Sequence, residues 1–338
     1  MFNERKKLYR RLEKLRGSKL ITYVTSDRQG MEAQVAPDVL TYLSDQLDAF
    51  KSYTGKISLL LSTRGGFTLA GWGFVNLLKM YCDEFEVIIP SKAHSTGTLI
   101  AIGANSIVMT KQATLSPIDP SINGFFNPIL DDNGVRKKVP VSVEDVTKYF
   151  ELARKEIGED KDLTAVLQQL SSMVHPLCLG VVHRSRTQIQ MLAKKLLQNS
   201  IDEENKIDAI IAFLCSDSGS HDYTINRREA KDSLHLPIIK PSEEEYLILK
   251  KIYQDLQDEL EVHTPFEPNI ILAGNQQMSY SSKRVILESL YGGSHKWVSE
   301  GTLSKLSLPP QQAQGMPFAI PVTGVNDQRN FEGWKHEK

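Results

Sequence analysis

The chain has 338 residues, of which 24% are charged, and a formal net charge of −1. This length accommodates one large domain or two ordinary ones, and the near-zero charge gives no reason to expect nucleic acid as a partner. No uncharged apolar run approaches the ~18–20 residues of a membrane span, and the charged stretch from Glu4 onward is unlike a secretory signal; a cytoplasmic location is expected.

The first 19 residues are predicted to form a basic amphipathic helix. Residues 3–19 contain eight Lys or Arg and two Glu, and Leu8, Leu12 and Leu15 share one helical face. Two interpretations follow from this pattern. The helix makes weak contact with an anionic membrane surface, or it packs its leucines on the body of the protein or on a neighbouring subunit.

Short apolar runs alternate with helical patterns over residues 20–109. Strands are predicted at 20–25, 57–61, 85–90 and 107–109, and helices at 36–53 and 67–81. This alternation is typical of parallel βαβ units, whose ligands bind at the carboxyl ends of the strands. Two turns that follow strands are therefore expected at one edge of a single sheet.

Those two turns contain the residues that an acyl-transfer site needs. The first reads Ser62-Thr63-Arg64-Gly65-Gly66, and the second reads Ala93-His94-Ser95-Thr96-Gly97-Thr98. The glycine turn can supply backbone N–H donors, and Ser95 opens a helix of small residues. Structural alternatives exist for both: a glycine pair suits a tight turn with positive φ, and serine is a common helix N-cap.

Further motifs follow in order: Ser116-Pro117-Ile118-Asp119-Pro120, His175-Pro176-Leu177, and Ser220-His221-Asp222-Tyr223 before residues 227–231. Together with the two turns, they resemble the serine dehydrogenase proteinase (SDH) family of the Clp-protease/crotonase superfamily, a relative of signal peptide peptidase A. The resemblance covers roughly residues 20–240. It implies an α/β fold of the Clp/crotonase type, with stacked ββα units and outer helices.

The resemblance also implies roles for individual residues. Ser95 matches the nucleophile, the oxyanion hole falls on Gly65 or Gly66 with Thr96, and the third member of the triad falls on Asp222. Clp proteases carry their histidine about 25 residues after the serine, and that position here is Asp119.

The general base is left open among Asp119, His221, His175 and Lys148. Asp119 is a poor base unless burial raises its pKa, and it is equally suited to bracing its turn. His221 is the first candidate because it adjoins Asp222, although adjacent side chains in a strand point apart. Lys148 would give a Ser–Lys dyad.

Arg64 departs from the Clp pattern, which has proline at this place in the turn. Arginine does not stiffen the turn as proline would. It either binds a substrate carboxylate or lies on the surface.

The remaining chain is predicted to be mainly helical until residue 260. Residues 123–141 read as a surface hairpin or loop, and Ser142 with Asp145 is a capping-type start of a helix that ends at Gly158. Further helices are expected at 163–174, 180–198, 203–214 and 242–260. From residue 269 the segments NIILAG and QQMSYSSKRVILESL suggest short strands with turns, and the tail after residue 308 reads as loose.

These patterns predict a basic helix at 1–19, a Clp/crotonase-like serine protease domain at 20–262 and a β-containing extension at 263–338. The expected activity is an ATP-independent serine peptidase acting on peptides or proteins, assembled as a homo-oligomer, without metal or organic cofactor. Cys82, Cys178 and Cys215 are expected to be free buried thiols. The alternatives are a crotonase-like enzyme acting on acyl-thioesters and a catalytically inactive scaffold or regulatory protein.

Overall fold

The structure, a computed structural model, describes residues 1–51, 55–119, 121–132, 135–159, 161–312 and 319–337. These residues form fifteen strands: β1 (Lys19–Thr25), β2 (Lys56–Ser62), β3 (Glu84–Ile89), β4 (Lys92–Ala93), β5 (Ser106–Met109), β6 (Thr114–Leu115), β7 (Ser121–Ile122), β8 (Ile129–Asp132), β9 (Val135–Lys138), β10 (Val141–Ser142), β11 (Ile225–Asn226), β12 (Ile238–Ile239), β13 (Gln277–Ser289), β14 (Gly293–Gln312) and β15 (Ala319–Glu337).

The same residues form eleven α-helices: α1 (Phe2–Arg16), α2 (Val39–Asp48), α3 (Thr68–Lys79), α4 (Thr96–Ile102), α5 (Val143–Ile157), α6 (Thr164–Met173), α7 (Pro176–Leu197), α8 (Glu204–Ala212), α9 (Arg227–Asp232), α10 (Glu243–Glu259) and α11 (Pro268–Leu272). A π-helical turn, Phe213–Asp217, continues α8.

The central sheet has eight strands in the order β12-β5-β3-β2-β1-β13-β14-β15. The five strands from β12 to β1 are parallel, and β13–β15 continue the sheet in antiparallel fashion. The α/β class and the parallel core strands predicted from the alternating patterns are confirmed.

Both faces of the sheet are covered, which explains why its central strands read as nearly continuous apolar runs. Residues of β1 alternate between two cores: Ile21 and Tyr23 pack with helices α2, α3 and α4, whereas Leu20 and Val24 pack with α1 and α10. This period-two alternation follows from strand geometry.

The helix at the N-terminus packs on the body of the protein. Its Leu12 is buried against α10, Leu8 is half-buried and Leu15 is exposed. Arg5 is only 1% exposed and pairs with Asp255, Glu259 and Glu288. The basic helix therefore directs one of its charges inward, where C-terminal carboxylates balance it.

Several predicted boundaries differ in the structure. Helix α2 begins at Val39 rather than at residue 36, and the predicted helix end at 53 lies outside the described residues. Helix α5 begins as expected, with the Ser142 hydroxyl accepting a hydrogen bond from the Asp145 N–H at 3.1 Å. The predicted surface hairpin is formed by β8 and β9.

The C-terminal region departs most from the sequence interpretation. Part of NIILAG lies in helix α11 rather than in a strand, because Pro268 occupies the helix start and Ala273 ends the helix in a left-handed conformation. The expected short strands are long, at 13, 20 and 19 residues. Residues 319–337, expected to be loose, form β15, because pairing with β14 satisfies their backbone groups.

Within the described ranges, no single helix is long and apolar enough to cross a bilayer. Two consecutive helices, Thr164–Met173 and Pro176–Leu197, are long and apolar enough only when taken together, and they are bent by 106° relative to each other. All three cysteines are free, and Cys178 and Cys215 are buried while Cys82 is half-buried.

Candidate active site

The two sequence-predicted turns meet at the carboxyl edge of the parallel strands. Thr63, just after β2, donates its N–H to the Lys92 carbonyl at 3.1 Å and accepts the His94 N–H at 3.0 Å. These bonds form a parallel bridge between Thr63 and Ala93. The expectation that both turns lie at one sheet edge is confirmed.

Ser95 adopts a backbone conformation that is rare for a residue with a side chain. Its φ is 50° and its ψ is −114°, at the N-cap position of α4. The Ser95 N–H donates to the Ser116 hydroxyl at 2.7 Å, which helps hold this conformation. The Ser95 side chain forms no capping hydrogen bond, so its hydroxyl is not used as the N-cap alternative requires.

Gly65 lies directly against Ser95, and its lack of a side chain makes this possible. Its φ is +112°, and a Cβ there would stand 2.8 Å from the Ser95 Cβ and 2.9 Å from the His94 carbonyl oxygen. The Gly65 N–H donates to the Thr63 hydroxyl at 3.0 Å. That N–H is therefore already engaged and is not directed at a substrate.

The N–H groups of Gly66 and Thr96 are differently placed. No described residue provides an acceptor for the Gly66 N–H. Thr96 is the first residue of α4, where N–H groups lack intrahelical acceptors, and no other described residue accepts from it. The Thr96 hydroxyl donates to the Gly66 carbonyl at 2.7 Å, which ties the two peptides together.

A histidine–carboxylate pair lines the same cavity as Ser95. The His221 Nδ1 is 2.8 Å from the Asp119 Oδ1, although the two residues are 102 positions apart. Asp119 follows β6 and His221 precedes β11, and antiparallel pairing of Leu115 with Ile225 brings these segments together. The sequence does not predict that His221 pairs with Asp119, because the pairing depends on the contact between the two-residue strands β6 and β11.

The electrostatics of the pair define its tautomer. The hydrogen bond to Asp119 raises the pKa of His221, and the Asp119 charge adds to the rise while burial opposes it. An ionised carboxylate only accepts, so the neutral imidazole carries its proton on Nδ1 and leaves Nε2 as an acceptor. The Asp119 side chain is 10% exposed and that of His221 is 45% exposed.

A cavity of about 640 Å³, here called the catalytic cavity, joins these groups. Its lining includes Gln34, Arg64, Gly65, Gly66, Ser95, Asp119 and His221. The nucleophile candidate, the glycine turn and the histidine–carboxylate pair therefore face the same space.

Asp222 does not occupy the position expected for the third member of a triad. It is exposed, and its N–H donates to the Ser220 hydroxyl at 3.2 Å. It lines a neighbouring cavity with His94 rather than the one that contains Ser95. Residues 221–222 form a turn, and the carboxylate hydrogen-bonded to His221 is Asp119.

The remaining base candidates are engaged elsewhere. His175 caps α7, since its Nδ1 accepts the Leu177 N–H at 3.2 Å, and its ring stacks on Phe126. Lys148 is exposed and pairs with Glu151 at 2.7 Å, and this hydrogen bond raises its pKa. A lysine base needs a lowered pKa.

His94 and Arg64 flank the site. Burial lowers the pKa of His94 to about 4, and its Nε2 lies 2.8 Å from the Thr114 hydroxyl. Arg64 is exposed and its Nε lies 3.3 Å from an Asp27 oxygen, so it borders the cavity as a surface side chain. In the described part of the chain, His, Cys, Asp and Glu side chains form no group of three suited to a metal ion.

Residues 1–175 match the model of a family described as ClpP-like SDH-type serine proteinases. Two similar curated proteins are uncharacterized proteins of Methanocaldococcus jannaschii. One is 29% identical over 200 residues, which are 59% of this chain and 58% of the relative. The other is 33% identical over 119 residues, which are 31% of this chain and 41% of the relative. The chain therefore spans less than two thirds of either relative.

Solved structures with a similar fold include a ClpP1 mutant from Listeria monocytogenes, with a TM-score of 0.39 and 14% identity, covering 69% of this chain and 98% of that one. Another is a mutant of the membrane-bound stomatin-specific protease 1510-N in complex with a substrate peptide. Its TM-score is 0.38 at 17% identity, covering 68% of this chain and 79% of that one.

Proposed function

Because this chain belongs to the ClpP-like SDH-type serine proteinase family, we propose that it is an active serine peptidase that forms an acyl-enzyme on Ser95. The observation that carries the proposal is the 2.8 Å contact between His221 Nδ1 and Asp119 Oδ1 in a cavity that Ser95 also lines. This pair supplies the oriented base that a serine hydroxyl requires.

In the proposed first step, His221 Nε2 takes the proton of Ser95 Oγ while Oγ attacks the substrate carbonyl carbon. The resulting oxyanion accepts hydrogen bonds from the N–H groups of Gly66 and Thr96, which have no acceptor among the described residues. Asp119 stabilises the imidazolium that forms. Gly65 allows the turn to lie close to Ser95. It donates no hydrogen bond to the oxyanion, because its N–H is paired with Thr63.

The second half of the cycle uses the same groups. His221 transfers its proton from Nε2 to the leaving amine, and the C–N bond of the substrate breaks. Water then loses a proton to His221 and attacks the Ser95 ester, releasing the carboxylic acid and restoring the hydroxyl. No step requires nucleotide hydrolysis.

In this proposal the histidine and the aspartate of the triad have exchanged positions along the chain relative to the Clp pattern. The usual histidine position holds Asp119, and the segment that usually provides the aspartate provides His221. A triad depends on geometry rather than on chain order, so the exchange is compatible with catalysis. The family match ends at residue 175 and does not include His221.

The test is covalent labelling of the full-length protein by a fluorophosphonate, compared among the wild type, Ser95→Ala and His221→Gln. We expect labelling of the wild type, none in Ser95→Ala, and a rate lower by about 10²–10⁴-fold in His221→Gln. His175→Gln is the matched control and should label at the wild-type rate. An unlabelled wild type would favour the inactive scaffold, and labelling of Ser95→Ala would exclude Ser95 as the nucleophile.

A further inference from the structure

A second cavity, here called the tryptophan cavity, lies where the C-terminal strands meet the start of α2. Its volume is about 430 Å³, and its lining includes Tyr23, Glu32, Asp38, Arg284, Trp297 and Trp334. Gln34 lines both this cavity and the catalytic cavity, so the two are neighbours along one short segment of chain.

Tyr23 provides a polar group without a partner in the lining of this cavity. The residue is 1% exposed, and its ring packs against Phe74 at a centroid distance of 5.1 Å. Burial raises the pKa of Tyr23, so its hydroxyl stays protonated. No described residue forms a hydrogen bond with that hydroxyl. The hydroxyl oxygen is not among the fully buried atoms that lack a partner, so it is open to hydrogen bonding with solvent or with a ligand in the cavity.

The two tryptophans form aromatic walls in a fixed arrangement. The Trp297 and Trp334 rings meet edge to face at 84°, with centroids 6.0 Å apart. The Trp334 Nε1–H donates to Asp38 Oδ2 at 2.6 Å, which holds the indole in place. The Tyr42 ring also packs against the Trp334 indole, at a centroid distance of 4.7 Å.

The charge of the cavity is acidic. Glu32 and Asp38 are exposed, and neither forms an ion pair with a described cation. Arg284 also lines the cavity, and its Nη1 lies 3.3 Å from a Glu332 oxygen that Arg329 contacts at 2.6 Å. The charge of Glu32 opposes the lowering of the Arg284 pKa by burial. Two carboxylates against one guanidinium leave the lining with a net negative charge, which together with the aromatic side chains favours a cation over an anion.

We propose that the tryptophan cavity binds a lysine or arginine side chain of the peptide substrate, several residues from the scissile bond. This inference rests on the proposed peptidase function. The cation would lie against Trp297 or Trp334 and near Asp38, and the Tyr23 hydroxyl would accept one of its hydrogen bonds.

The backbone between the two cavities is suited to guide such a peptide. The Ala33 N–H donates to the Ser26 carbonyl at 2.9 Å, and the Val35 N–H donates to the Gly65 carbonyl at 2.8 Å. In an extended chain, alternate residues direct their backbone groups to opposite edges, and Gln34 lies between these two paired residues. No described residue pairs with the Gln34 N–H or C=O. The backbone of an extended peptide that runs from Ser95 to the tryptophan cavity can therefore form hydrogen bonds with the Gln34 backbone.

The experiment uses the full-length Ser95→Ala protein, which cannot cleave, and measures tryptophan emission. Two of the three tryptophans in the chain line the cavity, so emission reports on its occupancy. The probes are two sets of degenerate decapeptide pools. In one set a lysine is fixed at each position in turn, and in the other set a norleucine is fixed at each position in turn. We expect about tenfold tighter binding of the lysine pool at one position of the scan.

The charge dependence is tested with Asp38→Asn, which can still accept the Trp334 hydrogen bond but lacks the negative charge. The lysine preference should fall to twofold or less. Glu32→Gln, at an exposed position, should reduce it in the same direction and covers the case in which Asp38→Asn is unstable. Asp232→Asn, an exposed acid remote from both cavities, is the matched control and should keep the full preference.

Equal binding of the two pools, or an unchanged preference in both Asp38→Asn and Glu32→Gln, would overturn the proposal. Fluorophosphonate labelling of the protein with Ser95 intact separates this result from the peptidase proposal. Labelling without a lysine preference rejects the cavity alone. A lysine preference without labelling rejects the peptidase and leaves a binding site for basic peptides.

Discussion

The substitution Asp119→Asn tests the centre of the proposed mechanism. Asparagine has nearly the same shape as aspartate, and the neighbouring Ile118 stays anchored by its N–H bond to the Leu214 carbonyl at 2.9 Å. The change removes the negative charge next to His221. It also allows the amide NH₂ to face Nδ1, which favours the tautomer with its proton on Nε2, and that tautomer cannot accept the Ser95 proton.

The size of the expected loss of activity follows from the burial of the His221–Asp119 pair. An orienting carboxylate in a serine triad is worth about 10⁴-fold in rate when it is buried. Here the His221 side chain is 45% exposed, so solvent screens part of the interaction. We therefore expect kcat/KM to fall by about 10²–10³-fold, or about 2.7–4 kcal/mol of transition-state stabilisation.

The pH dependence gives a second measure with a definite sign. Neutral His221 is the active form, so activity falls as pH drops through its pKa. Asp119 raises the pKa of His221 above the ordinary histidine value of 6.5, which places the acid limb of wild-type activity above that pH. Removing the carboxylate lowers this pKa, so the acid limb of Asp119→Asn should move to lower pH while the plateau also falls.

The assay is the second-order rate of fluorophosphonate labelling, followed from pH 5 to pH 9 in parallel with peptide hydrolysis. Asp222→Asn is the matched control, because Asp222 is exposed and is not hydrogen-bonded to the imidazole. Its plateau should stay within about threefold of the wild type. A full plateau in Asp119→Asn combined with a large loss in Asp222→Asn would refute the reasoning and return the supporting role to Asp222.

Four further predictions follow from other parts of the structure. Ser95→Ala should leave the thermal midpoint within about 2 °C of the wild type, because the hydroxyl makes no capping bond. Gly65→Ala should cost roughly 1–3 kcal/mol by thermal unfolding and abolish labelling, since its Cβ would lie 2.8 Å from that of Ser95; an unchanged midpoint would contradict the described turn. Arg5→Met should lower the free energy of unfolding in urea by about 3–5 kcal/mol, because it removes the cation that pairs with the buried Glu288, whereas Glu259 keeps its pairs with Lys283 and Lys296; the exposed Arg10→Ala should change it by about 0.5 kcal/mol or less. Light scattering at micromolar concentration should give a mass above the 38.0 kDa of one chain if the predicted homo-oligomer forms, and a monomer would count against it.

Local patterns in the sequence were sufficient to predict the elements that carry the nucleophile. Residues 57–61 and 85–90 are mostly apolar because their strands are buried on both faces, and glycine-containing turns follow each region. The parallel βαβ arrangement then requires both turns to lie at one edge of the sheet. For this reason the order and spacing of residues along the chain are enough to bring Ser95, Gly65 and Gly66 together.

The partner of the base could not be predicted in this way. His221 and Asp222 adjoin each other in sequence, but adjacency does not determine which carboxylate accepts the hydrogen bond from the imidazole Nδ1–H. The short pairing of β6 with β11 decides this, by bringing Asp119 to His221 across 102 residues. Two-residue strands leave no detectable period in a sequence, so the pairing becomes visible only in the folded chain.

The same limit applies to the two ends of the chain. The basic pattern of residues 3–19 predicts a helix, but only the fold shows that Arg5 lies among buried carboxylates of α10 and β13. The tryptophan cavity likewise combines β1, the start of α2 and strands β13–β15, which are far apart in sequence. Secondary structure depends mostly on neighbours within a few residues, whereas charge pairs and cavities depend on contacts between distant segments, and these exist only after folding.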